Sequence, residues 1–247
     1  EYYQAQADML TAELIAQYLE GDVISMRGTK IYSSFDHARN VEEGLRLDPM
    51  RPVHVSLDFN IAPGMHAEIG QFIEEQDLLT VVHEIHAPRM DVLTCMGQIV
   101  ATLRRCFAET LERDPRWKPE IQIFGDATGK SEWAGTGESC YQLVMQFLQR
   151  QDIPFRVRVP EANPPVVDRV NAFNVAMCDV GGHVHWKCHP RCVRLVEDLN
   201  KLARDKNGEI NKSDSRLSHP SDAEGYRISY LRPVRVARRA VGGRFNV

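Results

Sequence analysis

His54-Val55-Ser56-Leu57-Asp58-Phe59-Asn60 is the stretch on which the reading of this chain turns. Together with Val53, the residues Val55, Leu57 and Phe59 occupy one side of a period-two pattern, and His54, Ser56, Asp58 and Asn60 occupy the other. That is the signature of a half-buried strand over 53–60. Aspartate is disfavoured in strands, and a carboxylate drawn out of water requires a partner. Taken alone, Asp58 reads as a surface residue facing solvent. The alternative is a carboxylate held by a cation, and the flanking sequence bears on that choice.

Working outward, a Pro63-Gly64 turn leads to a strand over 65–73, the acidic turn Glu74-Glu75-Gln76-Asp77 follows, and a third strand spans 78–86. Short polar turns join antiparallel neighbours, so these three strands form a meander. Asp91 is placed to N-cap a helix whose apolar stripe is Val92, Met96, Ile99, Leu103 and Phe107. A fourth strand over 121–124 ends in Gly125-Asp126. A long helical crossover returns the chain parallel to a neighbour in the same sheet, which would bring Asp126 beside Asp58.

Beyond it the chain alternates. A helix is predicted over 138–149, a strand over 155–159, and a helix opened by Asn163 as cap with Pro164-Pro165 behind it. A short strand near 184–186, a helix over 190–204, a hairpin at Asn207-Gly208 and a last helix over 218–231 complete the body. The expected fold is α/β: a mixed sheet, antiparallel meander first and parallel strands after, flanked by helices. Upstream, helical spacing over 1–20 and the Pro- and charge-rich stretch 48–52 set a boundary before Val53. The divisions are 1–52, a joining segment; 53–233, the main domain; and 234–247, a basic tail. The chain opens inside a helical pattern without methionine and is expected to be a piece of a longer protein.

The net charge of −4 gives no global attraction to nucleic acid, although a local basic groove suffices for that. No apolar run reaches the length of a membrane span, and six irregularly spaced cysteines do not make a disulfide framework. A soluble protein with reduced thiols is the expectation.

Three acids mark strand or helix ends: Asp58, Asp126 and Asp222, the last in the first turn of the final helix. Each has an ordinary explanation by itself, since a helix N-terminus stabilises a carboxylate unaided. Brought together they would repel unless a cation lay between them, and hard oxygen donors suit Mg²⁺ or Mn²⁺. Two such ions about 3.5–4 Å apart could activate water and stabilise the leaving oxygen of a phosphodiester. Glu84, on the same face of its strand as His86, is a lesser fourth candidate.

Two other patterns fail. Phe124-Gly125-Asp126-Ala127-Thr128-Gly129-Lys130-Ser131 lacks the first glycine and the spacing of a phosphate-binding loop, and its aspartate would repel phosphate. Lys130 remains a possible phosphate contact. His183, His185, Cys188, His189 and Cys192 lack a second ligand pair at zinc-finger spacing. Basic groups are few: Arg156 and Arg158 on one strand, Lys206 and Lys212 near the hairpin, and Arg235, Arg238, Arg239 and Arg244 in the tail. They read as a solvated face, or as phosphate-positioning residues if the substrate is nucleic acid.

An ordered set of motifs resembles the C-terminal nuclease domain of the large terminase subunit of tailed bacteriophages. They are Val55-Ser56-Leu57-Asp58-Phe59-Asn60, His83-Glu84-Ile85-His86 with Asp91, and Phe124-Gly125-Asp126-Ala127-Thr128-Gly129. Asn163 to Ala172 and His219-Pro220-Ser221-Asp222-Ala223-Glu224-Gly225-Tyr226 complete the set. The resemblance implies a ribonuclease-H-like fold and a Mg²⁺- or Mn²⁺-dependent endonuclease on double-stranded DNA during genome packaging, with Asp58, Asp126 and Asp222 as ligands of two ions. It also implies DNA contacts from Arg169 among the basic residues, a portal or procapsid and a small terminase subunit as partners of the full-length protein, and action in the bacterial cytoplasm. The family's ATPase would precede residue 1 and no ATPase motif is present. Some members carry another acid soon after the first aspartate, whereas here the next is Glu68. Other readings are a resolvase- or transposase-type nuclease of the same fold, and a non-catalytic module that docks DNA or the portal.

Overall fold

Alternating apolar residues bring six strands into one sheet, in the order β5-β4-β1-β2-β3-β6. The computed structural model describes residues 30–59, 64–132, 137–205, 207, 209–211, 213–214 and 216–234. The helix expected over 1–20, Asn60, Lys206, Gly208, Lys212 and the tail arginines lie outside them. In chain order the elements are α1 (His37–Asn40), β1 (Val53–Asp58), β2 (His66–Ile73), β3 (Leu78–His86), α2 (Val92–Cys106), α3 (Ala108–Arg113) and β4 (Ile121–Gly125). They continue with α4 (Cys140–Arg150), β5 (Phe155–Val157), α5 (Val166–Met177), β6 (Trp186–Cys188), α6 (Val193–Lys201) and α7 (His219–Leu231).

The meander is antiparallel, β1 with β2 and β2 with β3, while β4 lies parallel to β1 and β5 parallel to β4. This is the expected ribonuclease-H-like mixed sheet. β6 extends it beyond β3, again parallel, and sits two residues later than predicted. Trp186 and Cys188 are the residues that turn inward there, and Trp186 Nε1 donates to Glu224 Oε1 at 2.7 Å. Packing, rather than the β-propensity of Val184, sets the register.

Two apolar clusters flank the sheet. Val55, Leu57, Ile69, Ile121 and Ile123 pack under α2 and α4. Leu79, Val81 and Trp186 pack under α5 and α6 on the other side. A register shift between Ile69 and Gly70 lets β3 serve both, with Val81 in one cluster and Ile85 in the other. Ile31, Tyr32, Phe35, Leu45 and Leu47 are buried in these same clusters, so the packed body reaches back before Val53.

The sequence predicts a half-buried β1, and the structure differs. All six residues are buried, with Ser56 at 0% and Asp58 at 6% exposure. The polar side of the strand faces α7, which crosses β1, β2 and β4. The cap assignment also changes: Pro165, not Asn163, precedes α5, and the Asn163 side chain is used elsewhere. Asp91 does cap α2, accepting from Thr94 N–H at 2.8 Å. Around the predicted hairpin, Asp205 N–H donates to Glu209 and Asn211 N–H to Ala203, an antiparallel pairing on either side of the turn.

Gly70 is where β2 passes closest to its neighbours. A methyl group there would fall 1.7 Å from the Thr80 carbonyl oxygen and 2.9 Å from Arg227 Nη1. Gly70→Ala is therefore expected to destabilise the protein by about 3 kcal/mol, the upper range for overpacking. In urea melts the midpoint should fall at unchanged slope; an unchanged midpoint would contradict this packing.

Candidate functional site

Pairing of Leu57 with Gly125 makes Asp58 and Asp126 the next residues of two adjacent parallel strands. The Asp126 amide donates to the Leu57 carbonyl at 3.3 Å, so the two acids leave the sheet side by side. Gly125 permits this approach. Its φ is 150°, and a Cβ would lie 2.3 Å from the Leu57 carbonyl oxygen. Asp126 Oδ1 accepts from Thr128 N–H at 2.7 Å and from Asn163 Nδ2 at 2.6 Å, while Asn163 Oδ1 accepts from Ala127 N–H. The asparagine expected as a helix cap thus clamps the loop that carries Asp126.

The third acid arrives on α7. Ser218 in the left-handed region (φ 79°) and Pro220 at the first turn start that helix against the sheet. His219 Nδ1 reaches Asp58 Oδ2 at 2.9 Å. Asp222, one turn on, receives Arg169 Nη2 at 2.5 Å, and the Arg169 guanidinium lies over the Tyr226 ring at 4.4 Å. Gly225 leaves room for this arginine, since a Cβ there would sit 2.9 Å from its Cγ.

Tyr226 registers the convergence. Burial raises the pKa of its hydroxyl, Arg169 opposes, and Asp126, Asp222 and Asp58 each push it further up. Its hydroxyl thus feels all three acids. His219 is held above its ordinary 6.5 chiefly by the hydrogen bond to Asp58, against burial, with Asp222 adding to the effect. Three carboxylates faced by one arginine and one histidine make an all-oxygen donor set that suits a hard divalent cation of the Mg²⁺ or Mn²⁺ type.

The other predicted residues are placed differently. Glu84 accepts from the Arg194 and Leu195 amides, at 3.0 and 3.1 Å, at the start of α6. Lys130 pairs with Glu161 at 3.3 Å, and Arg156 with Glu120 at 3.1 Å on exposed β5. Arg169 is 5% exposed and committed to Asp222, and the His54 pKa is lowered by burial first, with Arg227 and then Arg158 adding to the effect. Cys188 and Cys192 are buried free thiols, and His183 and His185 bind Asp179.

Among the described residues, the acid and histidine group in which one donor atom from each residue lies within 4.8 Å of the others is His66, Glu68 and Glu84, not the three aspartates. Asp58, Asp126 and Asp222 are each turned toward a partner of their own. His219 and Tyr226 were legible as the i−3 and i+4 neighbours of Asp222 on one helical face. The Asn163 clamp had no sequence signal.

No protein-family model and no curated protein matches the sequence. Among solved structures, the chain is similar to the P22 large terminase nuclease domain, with TM-score 0.54 and 16% identity over 83% of this chain and 93% of that one. It is also similar to the large terminase from a thermophilic bacteriophage, with TM-score 0.56 and 14% identity over 92% of this chain and 51% of that one. The chain spans about half the length of that thermophilic phage protein. These likenesses establish the fold.

The start of α7 is pinned by Asp198 of α6, whose Oδ2 accepts from Ser221 N–H at 3.1 Å and Oγ at 3.0 Å. Burial is the main cause that raises this carboxyl from 3.8 to about 7, with the Ser221 bonds opposing. A folded-state pKa above the unfolded one favours folding below pH 3.8, and that advantage is lost as pH rises through about 7. Asp198→Asn, which keeps an acceptor for Ser221, should flatten the fall in stability across this window. Urea melts at pH 5 and pH 8 measure it, and an undiminished slope in the variant would refute the assignment.

Proposed function

We propose that this chain is the nuclease portion of a large terminase subunit, an endonuclease that hydrolyses double-stranded viral DNA with divalent cations held by Asp58, Asp126 and Asp222. One observation carries the reading: the Asp126 amide bonds the Leu57 carbonyl beside Asp58, and His219, in the same helical turn as Asp222, bonds Asp58, so carboxylates from β1, the end of β4 and the first turn of α7 converge. The fold shared with the P22 domain and the thermophilic phage protein supports it. So does the order of the motifs along the chain.

Each residue has a role in this reading. Asp58, with His219 on Oδ2, would hold the cations together with Asp126 and Asp222, and Asn163 sets the direction of Asp126. Arg169 neutralises part of the charge on Asp222. Mg²⁺ or Mn²⁺, when bound, supplies water activation and stabilises charge on the leaving oxygen. His219 sits beside Asp58, where it can exchange a proton with a water at the reacting phosphate. Lys130, Arg156, Arg158, Lys206 and Lys212 position the DNA backbone. In the full-length protein, residues 1–52 lead from an ATPase, those from Ile31 on packing against the domain, 53–233 form the nuclease, and the tail 234–247 meets the portal or procapsid. The small terminase subunit is a further partner, and the setting is the host cytoplasm. Among the described residues, no helix is long and apolar enough to cross a membrane.

Incubation with supercoiled plasmid and Mn²⁺ or Mg²⁺ tests the reading. Cleavage should appear with the metal and stop with chelator. Asp58→Asn, Asp126→Asn and Asp222→Asn should each lower the rate about a hundredfold or more, beyond the loss typical of an outer partner. Cleavage that survives any two of these substitutions would overturn the assignment, and strong preference for branched DNA would favour a resolvase.

A further inference from the structure

The buried side of the meander holds a second set of ligand-type residues that the three aspartates do not use. His66 and Glu68 project from β2 on one face, two residues apart, and Glu68 pairs across the strands with Glu84 of β3. His66 and Glu68 are each 1% exposed, while Glu84 is half-buried and leaves the cluster open on one side. One donor atom from each of the three falls within 4.8 Å of the others.

We propose that His66, Glu68 and Glu84 bind one transition-metal dication of the Zn²⁺ or Mn²⁺ type, through ligands other than the three aspartates and beside Asp58, the cross-strand partner of His66.

Two carboxylates facing each other across an antiparallel pair repel, and burial sharpens the cost. Compensation comes from a proton or from a cation. A single proton leaves Glu68 half satisfied: Oε1 lies 2.7 Å from His66 Nε2, but Oε2 has no partner although it is buried. A dication offsets both acids and gives the second Glu68 oxygen a ligand bond. The α6 amides of Arg194 and Leu195 already fix the Glu84 carboxylate. Such outer bonds orient metal ligands elsewhere. His66 Nδ1 is likewise buried without a partner. An imidazole among carboxylates favours Zn²⁺ or Mn²⁺ over Mg²⁺. The ion would tie β2 to β3 and, through Glu84, to the start of α6.

The chain carrying Asp58→Asn, Asp126→Asn and Asp222→Asn together isolates this site from the proposed catalytic one. Stripped of metal and titrated with Co²⁺ alone, it should take up one equivalent with visible d–d absorption, and excess Mg²⁺ should not displace it. Zn²⁺ should compete for the same equivalent and raise the melting temperature. Adding Glu68→Gln should abolish the uptake. Glu84→Gln, which keeps the side-chain shape at the α6 amides, is the second variant should Glu68→Gln fail to fold. No Co²⁺ uptake by the triple variant, displacement by Mg²⁺, or uptake unchanged by both glutamine substitutions would overturn the proposal.

Discussion

Everything at the candidate centre depends on α7 lying across the polar face of the sheet. That docking is built around a buried charge pair. Arg227 Nη2 contacts Glu224 Oε1 at 2.5 Å and the Thr80 carbonyl of β3 at 3.0 Å, and Trp186 of β6 donates to the same Glu224 oxygen. Burial pushes the Glu224 carboxyl up, and Arg227 and Trp186 act against it. Desolvating an ion pair is expensive, and apolar packing could hold a helix as well. What the pair adds here is position: the helix meets both β3 and β6, and its first turn then reaches β1.

From that constraint the geometry of the acids follows. His219 and Asp222 occupy the first turn of α7, so a helix fixed at residues 224 and 227 delivers them to the ends of β1 and β4. Asp198 and Ser221 hold the same turn from α6. Gly225 admits Arg169 from α5, which connects Asp222 to the helix behind. Buried polar groups that could be satisfied in several ways are here satisfied in one, and the arrangement becomes specific rather than merely stable.

Much of this was legible along the chain, and the limits are instructive. Period-two alternation located β1, β2 and β3, and the crossover rule put Asp126 beside Asp58. Alternation reports that two faces differ; it does not report that the polar one is exposed. His54, Ser56 and Asp58 read as a solvent side because burial by a helix more than 150 residues later leaves no local mark. Asn163 failed for the same reason. Asn-Pro-Pro is a sound helix start on local grounds, yet the side chain spends its hydrogen bonds on a loop 37 residues away. Arg169 is expected from the family resemblance to contact DNA, yet its guanidinium is taken by Asp222, 53 residues on. Local propensity identifies elements, and long-range polar pairing decides which residues meet.

The three aspartates share a further property that the paired geometry explains. Each has a partner supplied by the chain: His219 for Asp58, Asn163 for Asp126 and Arg169 for Asp222. Like charges gathered without such partners would oppose folding, because removing one member of a buried pair leaves an uncompensated charge. With them, the carboxylates are held in place by the protein's own donors. They do not close into a group as tight as His66, Glu68 and Glu84, which lie beside Asp58 on β2 and β3. The internal cations thus act in two directions, stabilising the acids where they stand and competing for the oxygens that an external cation would need. Arg169 is the stronger competitor, because its guanidinium stays charged where an imidazole can lose its proton. In the proposed reading, a cation at Asp222 would share that carboxylate with Arg169 on Oδ1, and a cation at Asp58 would share its carboxylate with His219 on Oδ2.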